Sequence, residues 1–489
     1  MLFLSVFVQG LFFIVVAYFA LYVLLELRVV VISKRVERKK LSGIELPQQE
    51  IEEGRFPTVT VLLPVCNESS VIERLIDAVS CLDYPSAKLQ ILVLDDSNDR
   101  TTELAAARVE RHIGLGVNIR LLKRVDRRGF KAGNLIFGIK QSNADFIAIF
   151  DADFIPPRDF LLKTIPCFND EKLGFLQTGI GYVNRDFSFL TKFQAMEMGH
   201  QQFVTVGLSE DGDMASLSGS SCVWRRRCID DIGGWSSDTI TEDVDLGYRA
   251  QFGDWNYAFL RDVVSLSELP ESVSSFRVQR ERWGRGLIHS AFKFFRQMYG
   301  KKMPFMKRLH AVSVMSSSLL LASIYGLLLL TLPLAWLLKF EGEIFRWGAV
   351  GFFVMVAVWV GSNFVGSRSG GKVSRTSGVL QVLLEMYAYV AMFLPMSFYY
   401  FVGGLRALAG VSGEFNRTPK GHEHADVKQP RINSILQQGE ILTFIYSAVA
   451  LVVGIWQGNI LLVPINLTAC FGFGMVIYWS WRERGVMDV

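Results

Sequence analysis

Charged residues are absent from the first 25 positions and thin out again at about 312–366 and 440–481, whereas the stretch from Phe56 to about Tyr299 has the mixed composition of a water-exposed domain. A membrane-crossing helix needs about 20 mostly apolar residues, and each apolar block is long enough to supply one or more. The chain must therefore fold as a soluble domain enclosed between membrane segments. Lys plus Arg number 51 and Asp plus Glu 47, a net charge of +4 that is too mild to point to nucleic acid.

Residues 2–25 form the first candidate span. A cleaved signal peptide would start with basic residues and end in small ones. Here the basic cluster "SKRVERKK" follows the apolar run instead, which places Ser33 onward in the cytosol. Further spans fit 312–338, 345–366, 438–456 and 459–480. Residues 378–410 are also apolar but contain Glu385, Pro395 and Arg406. A single crossing there would put the basic loop "GEFNRTPKGHEHADVKQPR" outside, against the charge rule. The segment reads as an interfacial or re-entrant helix bent near Pro395, giving five spans, or six if it crosses. The divisions are an N-terminal span (1–33), a linker (34–56), a catalytic domain ending in an interfacial helix (57–300), two spans (301–376), the interfacial helix and a loop (377–433), and two spans with a short tail (434–489). An integral membrane protein with a cytosolic catalytic domain is expected, with the plasma membrane as its site.

Within the soluble domain, "TVTVLLPVCNE" (58–68), "LQILVLDDSNDRT" (89–101) and "ADFIAIFDADFIP" (144–156) are β-branched or apolar runs that end in polar turns. They read as buried strands, and "SVIERLIDAVSCL" (70–82) and "ELAAARVERHI" between them have helical spacing. Such alternation predicts an α/β fold, a mostly parallel sheet with helices on both faces. Ligands in such folds bind beyond the carboxyl ends of the strands, where Asp95-Asp96 and Asp151-Ala152-Asp153 stand.

Carboxylates so close repel unless a cation sits among them, and hard oxygen ligands suit Mg²⁺ or Mn²⁺ held together with substrate phosphates. A third acidic group, "TEDVD" (241–245), precedes a helical stretch, so Glu242 and Asp243 could cap that helix, present a base, or both. "RRGFKAGNL" (127–135) offers Lys131 beside glycines, features of a phosphate site. The six cysteines form no C-x-x-C pair and read as reduced structural residues, and His422 and His424 read as a solvated loop rather than a metal site. "QRERWGRG" (279–286) crowds charge and an aromatic at the start of the second apolar block.

Taken in order, "LDDSND", "KAGN", "FDADF", "TED" and "QRERW" resemble the processive family 2 glycosyltransferases: cellulose synthases, the cellulose synthase-like mannan and glucomannan synthases and, more distantly, chitin and hyaluronan synthases. The resemblance covers about 57–300 and extends to "FNRTPK" (415–420). It implies a GT-A fold and an inverting, metal-dependent transfer from a nucleotide-diphosphate sugar, forming a β-linkage. Asp95, Asp96 and Lys131 would bind the donor, Asp151 and Asp153 the metal, and Asp243, with Glu242 beside it, would supply the catalytic base. Gln279 and Trp283 would form the mouth of the polymer channel and Arg282 would meet the diphosphate. Phe415, Arg417, Thr418 and Lys420 resemble a gating loop over the donor. The expected donor is UDP-glucose, with GDP-mannose the alternative, and the other partners are the growing polysaccharide and the lipid bilayer. Accessory subunits are not specified by the sequence. A single span ahead of the domain, "LDDSND" and "SLSGSSCVWRR" from Ser216 lean towards the mannan and glucomannan branch or a related bacterial β-glucan synthase.

A non-processive membrane enzyme glycosylating ceramide or a polyprenyl phosphate is the competing reading, and product size separates the two. A channel or scaffold without activity is a third, which the intact acidic motifs oppose.

Overall fold

A computed structural model of the chain describes residues 2–41, 56–216, 218–337, 343–368, 379–411, 431–459 and 462–487. The chain opens with helix α1 (Leu2–Leu41). Among the described residues seven strands then build one sheet: β1 (Val59–Val65), β2 (Leu89–Asp95), β3 (Ile119–Lys123), β4 (Phe146–Ile149), β5 (Leu173–Tyr182), β6 (Cys222–Arg225) and β7 (Asn256–Ser267). Their spatial order is β3-β2-β1-β4-β6-β5-β7. The first four run parallel, β5 pairs parallel with β7, and β6 is antiparallel to both its neighbours.

Every residue of β1 is buried, as expected of a strand covered on both faces. Alternate side chains feed two cores. Val61, Leu63, Ile91 and Val93 meet α2 (Ile72–Ser80) and α3 (Thr101–Gly114) on one face. Leu62, Leu92, Leu94 and Ile147 meet α4 (Phe130–Lys140) on the other. The short α5 (Phe160–Thr164) adds to the first core. The second is completed by α7 (Arg226–Asp231) and α8 (Glu242–Phe252). In chain order, α6 (Phe189–Asp211) lies between β5 and β6 and α9 (Val273–Gly300) follows β7.

Helices α10 (Phe305–Leu337), α11 (Glu343–Arg368), α12 (Val379–Leu408), α13 (Arg431–Trp456) and α14 (Leu462–Met487) complete the described structure. Together with α1 they make six described helices long and apolar enough to cross a membrane, one more than the five counted from sequence. The additional one is α12. Its surroundings set it apart, since 72% of its apolar stretch is enclosed by protein, against 22–33% for the other five. Pro395 lies inside it without ending it.

Two boundaries differ from the sequence reading. α1 runs through the basic cluster to Leu41 instead of ending at the membrane surface, because α6 holds it. The Ser33 hydroxyl donates to the Phe203 carbonyl at 2.7 Å, and a Cβ on Gly207 would sit 2.5 Å from Ser33 Oγ. Arg28 pairs with Asp211 and, at 3.3 Å, with Asp213. The second difference is that α9 is tied into the helical bundle as well as into the catalytic domain. Arg277 forks the Glu440 carboxylate of α13, and Tyr399 of α12 donates to Glu440 at 2.5 Å. Breaking such a buried pair on one side costs about 3–5 kcal/mol. Small residues bring α9 and α12 together: a Cβ on Gly284 would lie 2.8 Å from Tyr400 Cα, and one on Gly403 2.6 Å from the Glu281 carbonyl.

Candidate active site

The carboxyl ends of the central strands open onto one cleft of about 280 Å³. Five of the stretches that line it carry the residues expected from the sequence, and each reaches it by a local device.

The first follows β2. Asp96 is buried and lines the cleft, where Arg124 forks its carboxylate with two hydrogen bonds of 2.6 Å each. The same guanidinium donates to the carbonyls of Arg128 and Phe130, both at 2.8 Å, and so orders the turn that leads into α4. Asp95 departs from the expectation that both aspartates face the donor. It is fully buried and absent from the lining, and it accepts from the Ser97 N–H at 2.8 Å and the Thr102 hydroxyl at 2.6 Å. Consecutive residues at a strand end point to opposite faces, so Asp96 takes the cleft and Asp95 the turn.

The second is "RRGFKAGN". Gly129 enters α4 at φ +72°, a left-handed conformation natural to glycine, and a Cβ on Gly133 would stand 2.0 Å from the Arg128 carbonyl. This turn delivers Lys131 to the floor of the cleft, where its Nζ lies 2.6 Å from Asp151 and 3.8 Å from Glu242.

The third leaves β4. The Asp151 N–H donates to Ser220 Oγ at 2.8 Å, which fixes the backbone of the D-x-D turn against the loop before β6. Asp153 accepts from the Ser267 hydroxyl at 2.5 Å and the Glu268 N–H at 3.2 Å, at the end of β7. The fourth is the start of α8. Thr241 makes no side-chain capping bond there, and the helix begins at Glu242 itself. Asp243 presses on the loop before β6 so closely that a Cβ on Gly219 would lie 2.7 Å from its own Cβ. Gly286 of α9 permits the same closeness on the other side, facing Thr241. The fifth is α9, which contributes Gln279, Arg280, Arg282 and Trp283 to the wall.

These groups perturb one another. Burial, then the charge of Asp243, push the Glu242 carboxyl up to about 7, with Lys131 opposing. Burial likewise raises Asp151, and Lys131 restrains it. For Lys131 burial works against the charge, but Asp151, Glu242 and Asp243 outweigh it and raise the net pKa. Burial lowers Arg282, partly offset by Glu242 and Asp243. A cleft with raised acids at strand ends is short of positive charge, and a divalent cation or a cationic face would relieve it. Among the described residues no three acidic, histidine or cysteine side chains converge into an all-protein metal cage. Mg²⁺ and Mn²⁺ do not need one, since they bind through one or two carboxylates plus substrate phosphates.

The structure thus brings Asp96, Lys131, Asp151, Asp153, Glu242, Asp243, Gln279, Arg282 and Trp283 to one cleft and leaves Asp95 out. Phe415, Arg417, Thr418 and Lys420 lie outside the described residues. Arg124, Gly219, Ser220 and Ser267 were not singled out from sequence. Arg124 follows β3, a strand of five residues with only one fully buried position, and the hydroxyls of Ser220 and Ser267 reach Asp151 and Asp153 from stretches distant in sequence, which no short pattern encodes.

Residues 57–286 match the family model described as "Glycosyltransferase like family 2". The chain is 34% identical over 295 residues to glucomannan 4-beta-mannosyltransferase 1 of Cyamopsis tetragonoloba, covering 58% of this chain and 56% of that protein. It is 36% identical over 262 residues to "Probable glucomannan 4-beta-mannosyltransferase 11" of Oryza sativa subsp. japonica, covering 52% of this chain and 46% of that one. The chain spans about half the length of the curated relatives it matches. Among solved structures, the mannosyltransferase PcManGT from Pyrobaculum calidifontis, in complex with GDP-Man and Mn²⁺, aligns at 19% identity over 81% of this chain and 100% of that one, with a TM-score of 0.49.

Proposed function

We propose that this chain, a family 2 glycosyltransferase of GT-A fold over residues 57–286, is a membrane-embedded inverting β-mannosyltransferase that extends a mannan or glucomannan chain by repeated transfer. The observation that carries the reading is the meeting of Lys131, Asp151, Asp243, Arg282 and Trp283, from four separated stretches, in one cleft at the strand ends. The relatives bear the name of mannosyltransferases, so the expected donor moves from UDP-glucose to GDP-mannose.

In this reading Asp243 accepts the proton of the acceptor hydroxyl as that oxygen attacks the anomeric carbon from the face opposite the diphosphate. Gly219 and Gly286 leave room for Asp243 and its neighbour Thr241 to approach the cleft, and Glu242 beside it shares Lys131. Arg282 and Lys131 face the charge that develops on the leaving diphosphate; such preorganised donors are worth more in a cleft than in water. Asp151 and Asp153 would hold a Mg²⁺ or Mn²⁺ ion, which when bound supplies further positive charge to the diphosphate. Trp283 offers a flat apolar face to the terminal sugar of the acceptor.

The six apolar helices support an integral membrane protein. We infer that α12, enclosed by protein and packed on α9, lies at the interface and returns the chain to the cytosolic side, and that the product passes between the helices. The test compares wild type with Trp283→Ala in proteoliposomes, measuring nucleotide release and product length together. Release without long product in the variant is expected. Full-length polymer from the variant would remove Trp283 from the acceptor site, and a wild type that never adds more than one sugar would overturn the processive reading.

A further inference from the structure

Four of the five residues of "QRERW" line the cleft or its rim, and one of them has no part in the chemistry set out above. Arg280 is 1% exposed. Its two terminal nitrogens fork the Glu197 carboxylate of α6 at 2.8 and 2.5 Å. The plane of the guanidinium is thereby fixed, and it lies over the Trp283 ring, with its central carbon 4.5 Å from the ring centroid. The same carbon lies 5.1 Å from the centroid of the Phe276 ring. Phe276, Arg280 and Trp283 stand at i, i+4 and i+7 of one helix, so a single face of α9 carries a ring, a cation and a second ring.

We propose that Arg280, held by Glu197, is a positioning residue for Trp283. The guanidinium covers one face of the indole and fixes its tilt, which leaves the opposite face as the platform for the acceptor sugar. The proposal rests on the reading of Trp283 as the acceptor platform. It assigns to the Arg280–Glu197 pair control over how long a growing chain is retained, and no step of the transfer itself. A lysine could keep the charge but not the two-pronged grip that sets the plane.

The competing role is structural, a buried ion pair that merely joins α6 to α9. Single removal of either partner would leave a buried charge alone and confuse the two. The test is therefore the paired variant Glu197→Gln with Arg280→Gln, which removes both charges at once, alongside Arg280→Lys, which keeps a cation opposite Glu197. Full-length protein in proteoliposomes is given GDP-mannose and a soluble β-1,4-linked manno-oligosaccharide. For both variants the KM for the oligosaccharide should rise about tenfold, the scale of a desolvated cation–π contact, with kcat falling less than threefold and products shortened. Adding Trp283→Ala to the paired variant should shorten products no further than Trp283→Ala alone. Wild-type KM and product length in either variant, or a defect that adds to that of Trp283→Ala, would overturn the proposal. Wild-type product length in Trp283→Ala alone would instead sink the reading of Trp283, which keeps the two failures apart.

Discussion

Buried charge is handled in opposite ways by neighbouring residues near the start of α9. Where the helix meets α13 and α14, the buried Arg277 is matched. Arg277 forks Glu440, which also accepts from Tyr399, and Ser480 and Asn433 accept from Arg277. In the cleft, Asp151, Glu242 and Asp243 share Lys131 and Arg282, and the acids Asp151 and Glu242 are raised by burial. A matched network fixes a helix in place and asks nothing of a ligand. An acid-rich cleft is completed by what enters it. The difference separates charges that hold α9 from charges that act beside it, on one continuous helix.

The largest effect expected from breaking this contrast is at the D-x-D turn. Asp151→Ala with Asp153→Ala should reduce mannosyl transfer below detection, and EDTA should do the same to the unmutated protein; synthesis that persists in excess chelator would refute the metal role. Next comes Asp243→Asn, which keeps the shape and loses the basicity. Transfer should fall by about 10²–10⁴, with donor affinity, measured by equilibrium binding, nearly intact. Gly219→Ala should cost less, up to about 10²-fold in kcat, because the added Cβ falls 2.7 Å from that of Asp243 and must displace it. An unchanged rate would mean that the loop before β6 yields without moving Asp243.

At the contact of Arg277 with the bundle the expected loss is of stability. Arg277→Met should destabilise by about 3–5 kcal/mol, since Glu440 is left buried without its fork, whereas Arg277→Met with Glu440→Leu should recover most of that. Thermal unfolding in detergent reads the difference. If the double variant recovers stability but loses transfer outright, the Arg277 network belongs to the reaction and the contrast fails.

Much of this was legible in the sequence, for reasons that can be traced to particular residues. The strands β1, β2 and β4 are covered on both faces, so they read as continuous apolar runs, and the acids at their ends marked the cleft. The strands β3, β5, β6 and β7 were not named. β3 has one fully buried residue in five and β7 alternates buried and exposed along its second half, so neither carries a strong apolar run. Asp95 and Asp96 look alike in sequence and are separated by the alternation of the strand. α12 has the composition of a spanning helix, and its enclosure by α9, α10 and α14 is a tertiary fact that composition does not carry. The supports of the site, the side chains of Arg124, Ser220 and Ser267, reach Asp96, Asp151 and Asp153 from stretches distant in sequence, which only the fold brings together.

The central claim is that the acid-rich cleft builds a β-linked mannose polymer. Purified full-length protein in proteoliposomes should be given GDP-mannose, UDP-glucose and UDP-N-acetylglucosamine separately, with nucleotide release followed and any product sized and then digested with a β-1,4-mannanase. Release with GDP-mannose and a long, mannanase-sensitive product are expected. Single-sugar products on lipid, or polymer made only from UDP-glucose, would contradict it.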